Sequence, residues 1–132
     1  MSNAPVVGNL TQLVFCNPVV FPQEVTRILD MRPSFAERIE PQLSSTTSPL
    51  GTWKLQLTTL NTNDSVEAQV DAWISLLEPK ASAFDQLKEK GYRPYLDCRA
   101  DKDSLSICIE PEALIKLGRL NIALSLWVYE QE

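Results

Sequence analysis

Glu110 and Glu112 flank Pro111 closely enough to be considered as an acid and base pair, and Asp101, Asp103 and Glu112 fall at positions one, three and twelve of a calcium-loop spacing. Neither pattern goes far. Position six of the loop is Ser106 where the geometry requires Gly, and Leu105, Ile107 and Ile109 alternate across it as a strand would. Pro111 suits the first position of a helix, whose positive end accounts for both glutamates without any reaction. Lys80 and Tyr92 have no identifiable partner in the sequence, so they read as a solvated helix residue and a half-buried ring.

The chain has no histidine, which removes the Ser-His-Asp and Cys-His nucleophile systems, His-containing zinc sites and the commonest acid/base group at neutral pH. Any enzyme built on it must use carboxylates, Lys, Tyr or Cys. Cys16, Cys98 and Cys108 show no CxxC spacing and leave an odd thiol over, so they read as reduced, packed cysteines. Four scattered glycines make no phosphate-cradling loop. No catalytic residue, cofactor or metal site emerges, and an enzyme is the least supported of the functions considered.

A net charge of −5 and a pI near 4.7 set up a field that repels phosphate backbones and anionic membrane surfaces, so neither nucleic acid nor membrane is an expected partner. The first ten residues lack the basic region and apolar run of a secretory signal, and no apolar stretch approaches the roughly 20 residues that span a bilayer. The expected location is cytoplasmic. With 132 residues, 44% hydrophobic and 22% charged, the composition suits a single domain over 1–132 that buries its own core.

The stretch 120–129, LNIALSLWVY, alternates Leu120, Ile122, Leu124, Leu126 and Val128 with Asn121, Ala123, Ser125, Trp127 and Tyr129. That period of two predicts a strand, and its length marks it as the spine of a sheet. Residues 10–16 predict a first strand and 22–31 a short amphipathic helix opened by Pro22. From 32 to 51 no periodicity is sustained, three prolines and a Ser/Thr run intervene, and the spacing predicts a long polar loop in which Arg32 and Arg38 would meet an anionic ligand or partner. Residues 52–60 predict a second strand. A helical stripe of Val66, Val70, Trp73, Ile74, Leu77, Ala81, Phe84 and Leu87 follows, with Asp64 and Glu67 in capping-box spacing and Pro79 as a kink or break. Residues 95–100 and 105–109 predict a hairpin, and Pro111 opens a helix with Leu114, Ile115 and Leu117 inward, closed by Gly118.

From residue 52 the predicted order is strand, helix, strand, strand, helix, strand. This is the α+β, ferredoxin-like arrangement, an antiparallel sheet with helices on one face, to which the N-terminal strand and short helix are an addition at an edge.

The run Leu77-Glu78-Pro79-Lys80, then Gly91-Tyr92, then Ile109-Glu110-Pro111-Glu112-Ala113-Leu114 leading into 120–129 resembles the bacterial family called domain of unknown function 4279. Val25-Thr26-Arg27-Ile28-Leu29 and Gly51-Thr52-Trp53 are similar too, so the likeness covers most of the chain. These matches are structural punctuation and core. The resemblance implies a compact α+β domain of bacterial origin with no assigned activity, and carries over no functional residue.

If the apolar alternates lie under helices, the opposite sheet face carries Lys54, Gln56, Tyr95, Asp97, Arg99, Cys108, Ser125, Trp127 and Tyr129. Tyr, Trp and Arg mixed in this way have the composition of a binding hot spot, so Tyr95, Arg99, Trp127 and Tyr129 are the candidate interface. The expected function is an interaction module that joins a second copy of itself or a protein partner, including a basic one neutralised in the manner of an immunity protein. The alternative is a small-ligand-binding domain using this face and the 32–51 loop. In the predicted register Cys98 faces the core and Cys108 faces away.

Overall fold

The computed structural model describes residues 8–16, 20–37, 51–57, 60–101 and 106–129. Among them five strands, β1 (Leu10–Phe15), β2 (Phe35–Glu37), β3 (Thr52–Gln56), β4 (Tyr95–Asp101) and β5 (Ala123–Tyr129), form one sheet in the order β2-β3-β1-β4-β5. Four helices, α1 (Pro22–Leu29), α2 (Val66–Leu77), α3 (Ala81–Glu89) and α4 (Pro111–Arg119), cover one of its faces. The α+β class and the one-sided helix layer follow the sequence-based expectation.

The ferredoxin-like order is present, but it starts at β1. Strand β1 pairs antiparallel with β3 on one side and β4 on the other, and β2 pairs antiparallel with β3, so β1-α1-β2 and β3-α2-α3-β4 are two interleaved split βαβ units. The addition is therefore at the other end of the chain: α4 leads into β5, which runs parallel to β4 at the sheet edge. The predicted spine is an edge strand, and the predicted edge strand is the spine. Period-two alternation marks a strand equally well in either place, so only the pairing could decide.

Two local expectations also change. Residues 106–110 run irregularly, with Ile107 and Ile109 packed against the core while the Cys108 N–H goes to Glu67 Oε2 at 3.0 Å. Alternating burial is thus met without a strand partner. Of the predicted 32–51 loop, 38–50 lie outside the described residues, and among the described ones Phe35–Glu37 form β2, anchored where Ser34 Oγ donates to the Gln56 carbonyl and accepts from the Gln56 N–H.

Helix ends follow local chemistry. Pro22 opens α1, and Asp30 closes it at φ 55° with its N–H on the Thr26 carbonyl. Ser65, rather than Asp64, caps α2 by accepting from Ala68 N–H at 3.1 Å, and this leaves Glu67 to hold Cys108. Pro79 divides the long stripe into α2, a tight turn over Glu78–Lys80, and α3. Lys80 has a partner after all: its Nζ donates to the Leu29 carbonyl at the end of α1, 2.8 Å away.

Helices α3 and α4 close identically. Tyr92 N–H reaches back to the Leu87 carbonyl and Gly91 N–H to Lys88; Ile122 N–H reaches Leu117 and Asn121 N–H reaches Gly118. Both are Schellman turns, with the left-handed position held by Gly91 at φ 89° and by Asn121 at φ 59°. Gly118 lies inside α4 and does not close it.

The core lies between sheet and helices. Phe15 and Trp53, paired across β1 and β3, meet edge to face at 5.4 Å, and Phe15 also meets the Tyr92 ring at 6.0 Å. Thr11 Oγ1 donates to Gln69 Oε1 at 2.8 Å and accepts from Trp73 Nε1 at 2.9 Å, which ties the central strand to α2 through wholly buried polar atoms. In α4 the buried positions are Ala113 and Leu117, whereas Leu114 and Ile115, expected inward, are about half exposed.

Candidate functional site: the open sheet face

Register fixes what the uncovered face carries. Across the sheet, one row reads Gln56, Gln12, Asp97, Ser125; a second reads Lys54, Val14, Tyr95, Ala123; a third pairs Leu10 with Arg99 and Arg99 with Trp127. Tyr129 ends β5 opposite Asp101. Tyr95, Arg99 and Trp127 thus share one face, as expected. Arg32 is exposed in the connection between α1 and β2, off these rows, and Arg38 lies outside the described residues. Cys108 is not on this face, because its segment joins the helix layer through Glu67.

Asp97 is the centre of the arrangement and is only 5% exposed. Its Oδ2 accepts from Gln12 Nε2 at 3.1 Å and from Arg99 Nε at 3.2 Å, while Oδ1, itself buried, has no hydrogen-bond partner among the described residues. A buried acceptor without a donor loses its hydration uncompensated. Gln12, Lys54, Gln56, Asp97 and Arg99 line a shallow cleft of about 210 Å³ over this carboxylate. Beside it, Tyr95 Oη lies 3.6 Å from Cys16 Sγ, and burial, followed by that contact, pushes the phenol up to about 12. Lys54 Nζ stands 5.8 Å from the Phe35 ring centroid.

Trp127 differs from the other two tryptophans. Trp53 and Trp73 are fully buried, whereas Trp127 is 61% exposed, with its Nε1 donating to Ser125 Oγ at 3.0 Å. Among the described residues nothing folds over it. Leu126 and Val128, on the helix side of the same strand, are also exposed.

A larger hollow, about 780 Å³, opens where α3 and α4 end, between Lys88, Arg93, Tyr95 and Asn121. Its cations complement the negative ends of those helices, which accounts for them without a ligand. Glu110 and Glu112 sit at the N-cap and first turn of α4, where the helix end favours negative charge. Sequence reading missed Gln12, whose type gave no sign that β1 would be central and place it against Asp97. It also missed the Tyr92 hydroxyl, which donates to Glu24 across 68 residues of chain.

The family model described as Domain of unknown function (DUF4279) matches residues 9–131. The chain belongs to this DUF4279 family. The DUF4279 match runs from the start of the central strand through the whole α4-β5 addition, so both the Asp97 cleft and Trp127 lie inside it. No curated protein and no solved structure matches the chain. No described helix is long and apolar enough to cross a membrane.

Proposed function

We propose that this DUF4279 domain is an interaction module that docks another polypeptide on the open face of its sheet. The observation that carries the reading is Trp127: a 61% exposed indole on the helix-free face, opposite Arg99 in the β4:β5 ladder. Trp and Arg concentrate binding energy when a partner buries them, and an indole left in water contributes little to the fold. The net charge of −5 favours encounter with a basic partner, as in immunity-type neutralisation.

The test is Trp127→Asp together with a photo-crosslinking amino acid at position 127 in cells. The variant keeps the wild-type melting curve and loses at least about 2 kcal/mol of any association, the scale of a hot-spot anchor. The cross-linker gives a discrete polypeptide adduct that an exposed control position on α3, Lys88, does not give. Unfolding of Trp127→Asp would make the ring internal core, and no adduct at 127 would make it ordinary surface; either result removes the reading.

A small-ligand function is the second reading, favoured by the unpartnered Oδ1 of Asp97 beneath the Gln12, Lys54 and Gln56 cleft. A ligand donor satisfying that oxygen would raise the melting temperature of the wild type and not of Asp97→Leu, in which the acceptor is gone.

A further inference from the structure

The two edges of the sheet are treated differently. At one, β2 has three described residues, Phe35–Glu37, and follows Arg32-Pro33, a proline beside an edge being of the kind that resists pairing. At the other, β5 runs for seven residues, Ala123–Tyr129, with no charge, no proline and no glycine. Long, flat, uncharged edges are templates for another strand.

Most of the exposed large apolar side chains belong to the elements at this same edge. Of the nine large ones among the described residues, five belong to the α4-β5 addition: Leu114, Ile115, Leu126, Trp127 and Val128, each between 47% and 63% exposed. Leu76, a sixth, is on α2, the helix against which α4 packs. Exposed apolar surface on the elements at this edge therefore comes from both layers, strand and helix. A partner that covers it must supply a strand to β5 and an apolar helix surface beside it, and a lone extended peptide offers only the first.

We infer that the partner at this edge is a second copy of the chain, joined by antiparallel β5:β5′ pairing across a two-fold axis so that the sheet continues from one protomer into the next. The inference rests on the interaction reading only for its premise that the chain works by association; the surface is the edge, not the face. A two-fold centred on Leu126, the middle of the seven residues, pairs the whole strand. Leu126 then faces its own symmetry mate, Val128 faces Leu124′, and Trp127 faces Ser125′, so the helix-side apolar residues meet one another and the open-side residues do likewise. A neutral strand has no like-charge penalty in such self-pairing, and the isologous geometry closes at two copies instead of growing a fibre.

The self-opposed residue supplies the test. Wild-type chain sediments as a dimer, and its β5 amides exchange more slowly as concentration rises. Leu126→Lys and Leu126→Glu, each checked for native circular dichroism, place like charges across the axis and weaken their own dimers at least about tenfold, a difference of about 1.4 kcal/mol. Mixed in equal amounts, the two variants regain a dimer, because an ammonium on one protomer now faces a carboxylate on the other. A wild-type chain that stays monomeric at high concentration overturns the inference, as does a dimer with no concentration-dependent protection in β5, or variants whose mixture shows no rescue. Should the variants not fold, amide exchange on the wild type decides by itself. The face reading fails separately: Arg99→Glu and Trp127 adducts probe it, and a monomer that still cross-links a different polypeptide through position 127 would sink the second copy and leave the face standing.

Discussion

The Tyr92 hydroxyl donates a 2.7 Å hydrogen bond to Glu24 Oε1 while accepting one from the Phe21 N–H, so the residue after the α3 turn holds the first turn of α1. Lys90 adds an ion pair to the same carboxylate at 3.3 Å. These contacts, the Tyr92 bond foremost, hold Glu24 below its ordinary value, while burial and then the same bond push Tyr92 up to about 12.

Tyr92→Phe removes two hydrogen bonds from a nearly buried ring and keeps its packing against Phe15. The expected cost is about 1–2 kcal/mol in urea unfolding at neutral pH. A carboxylate with a depressed folded pKa adds stability above its unfolded pKa and loses it as pH falls through the folded one. The gap between wild type and Tyr92→Phe should therefore narrow in acid. A gap constant with pH would place Glu24 outside the effect.

The Thr11, Gln69 and Trp73 network is a second point of leverage. Thr11→Val keeps the volume but leaves Gln69 Oε1 and Trp73 Nε1 without this partner in a site where all three residues are at most 3% exposed. The loss should be at least about 2 kcal/mol. Thr11→Ser, which restores the hydroxyl, should recover most of it. A loss for Thr11→Ser as large as that for Thr11→Val would show that the hydroxyl's two hydrogen bonds are not what the site depends on.

Native thiol labelling should modify Cys108 first, half-buried Cys16 next and Cys98 only on unfolding. Cys108 is exposed, whereas Cys98 is fully buried, with its thiol pushed up to about 12 by burial first and the Asp97 charge second. Simultaneous labelling of Cys98 and Cys108 would contradict the register of β4.

The same buried groups predict alkaline fragility. Cys98, Tyr92 and Tyr95 have folded pKa values of about 12 against ordinary values of 9, 10 and 10. Groups with raised folded pKa contribute stability that is complete below the unfolded value and lost as pH rises through the folded one. Stability should decline from about pH 9 toward 12, and Cys98→Ala should remove the earliest part of the decline. An unchanged profile in Cys98→Ala would assign the decline to other groups.

Local chemistry could be read directly from the residues. Pro22, Pro79 and Pro111 set helix starts and the break between α2 and α3 because a fixed φ and a missing N–H act within one turn. The helical stripe from Val66 to Leu87, the α+β class and the alternation in β4 and β5 were legible because periodicity is a property of the chain itself. Pairing is not. Which strand stands in the middle depends on contacts such as Leu13 with Leu55 and Leu96, separated by scores of residues, and alternation scores an edge and a centre alike. The candidate site divides in the same way: residue types placed Tyr95, Arg99 and Trp127 on one face, while only the tertiary structure set Gln12 against Asp97. Likewise, the apolar positions of α4 marked Leu114, Ile115 and Leu117 for burial together, yet α4 packs by a narrow stripe at the sheet edge, where helix α2 and strand β5 offer cover to Ala113 and Leu117 alone. The sequence by itself determined how much apolar surface the addition carries; the edge position of β5, set by long-range pairing, decided that so much of it is left uncovered.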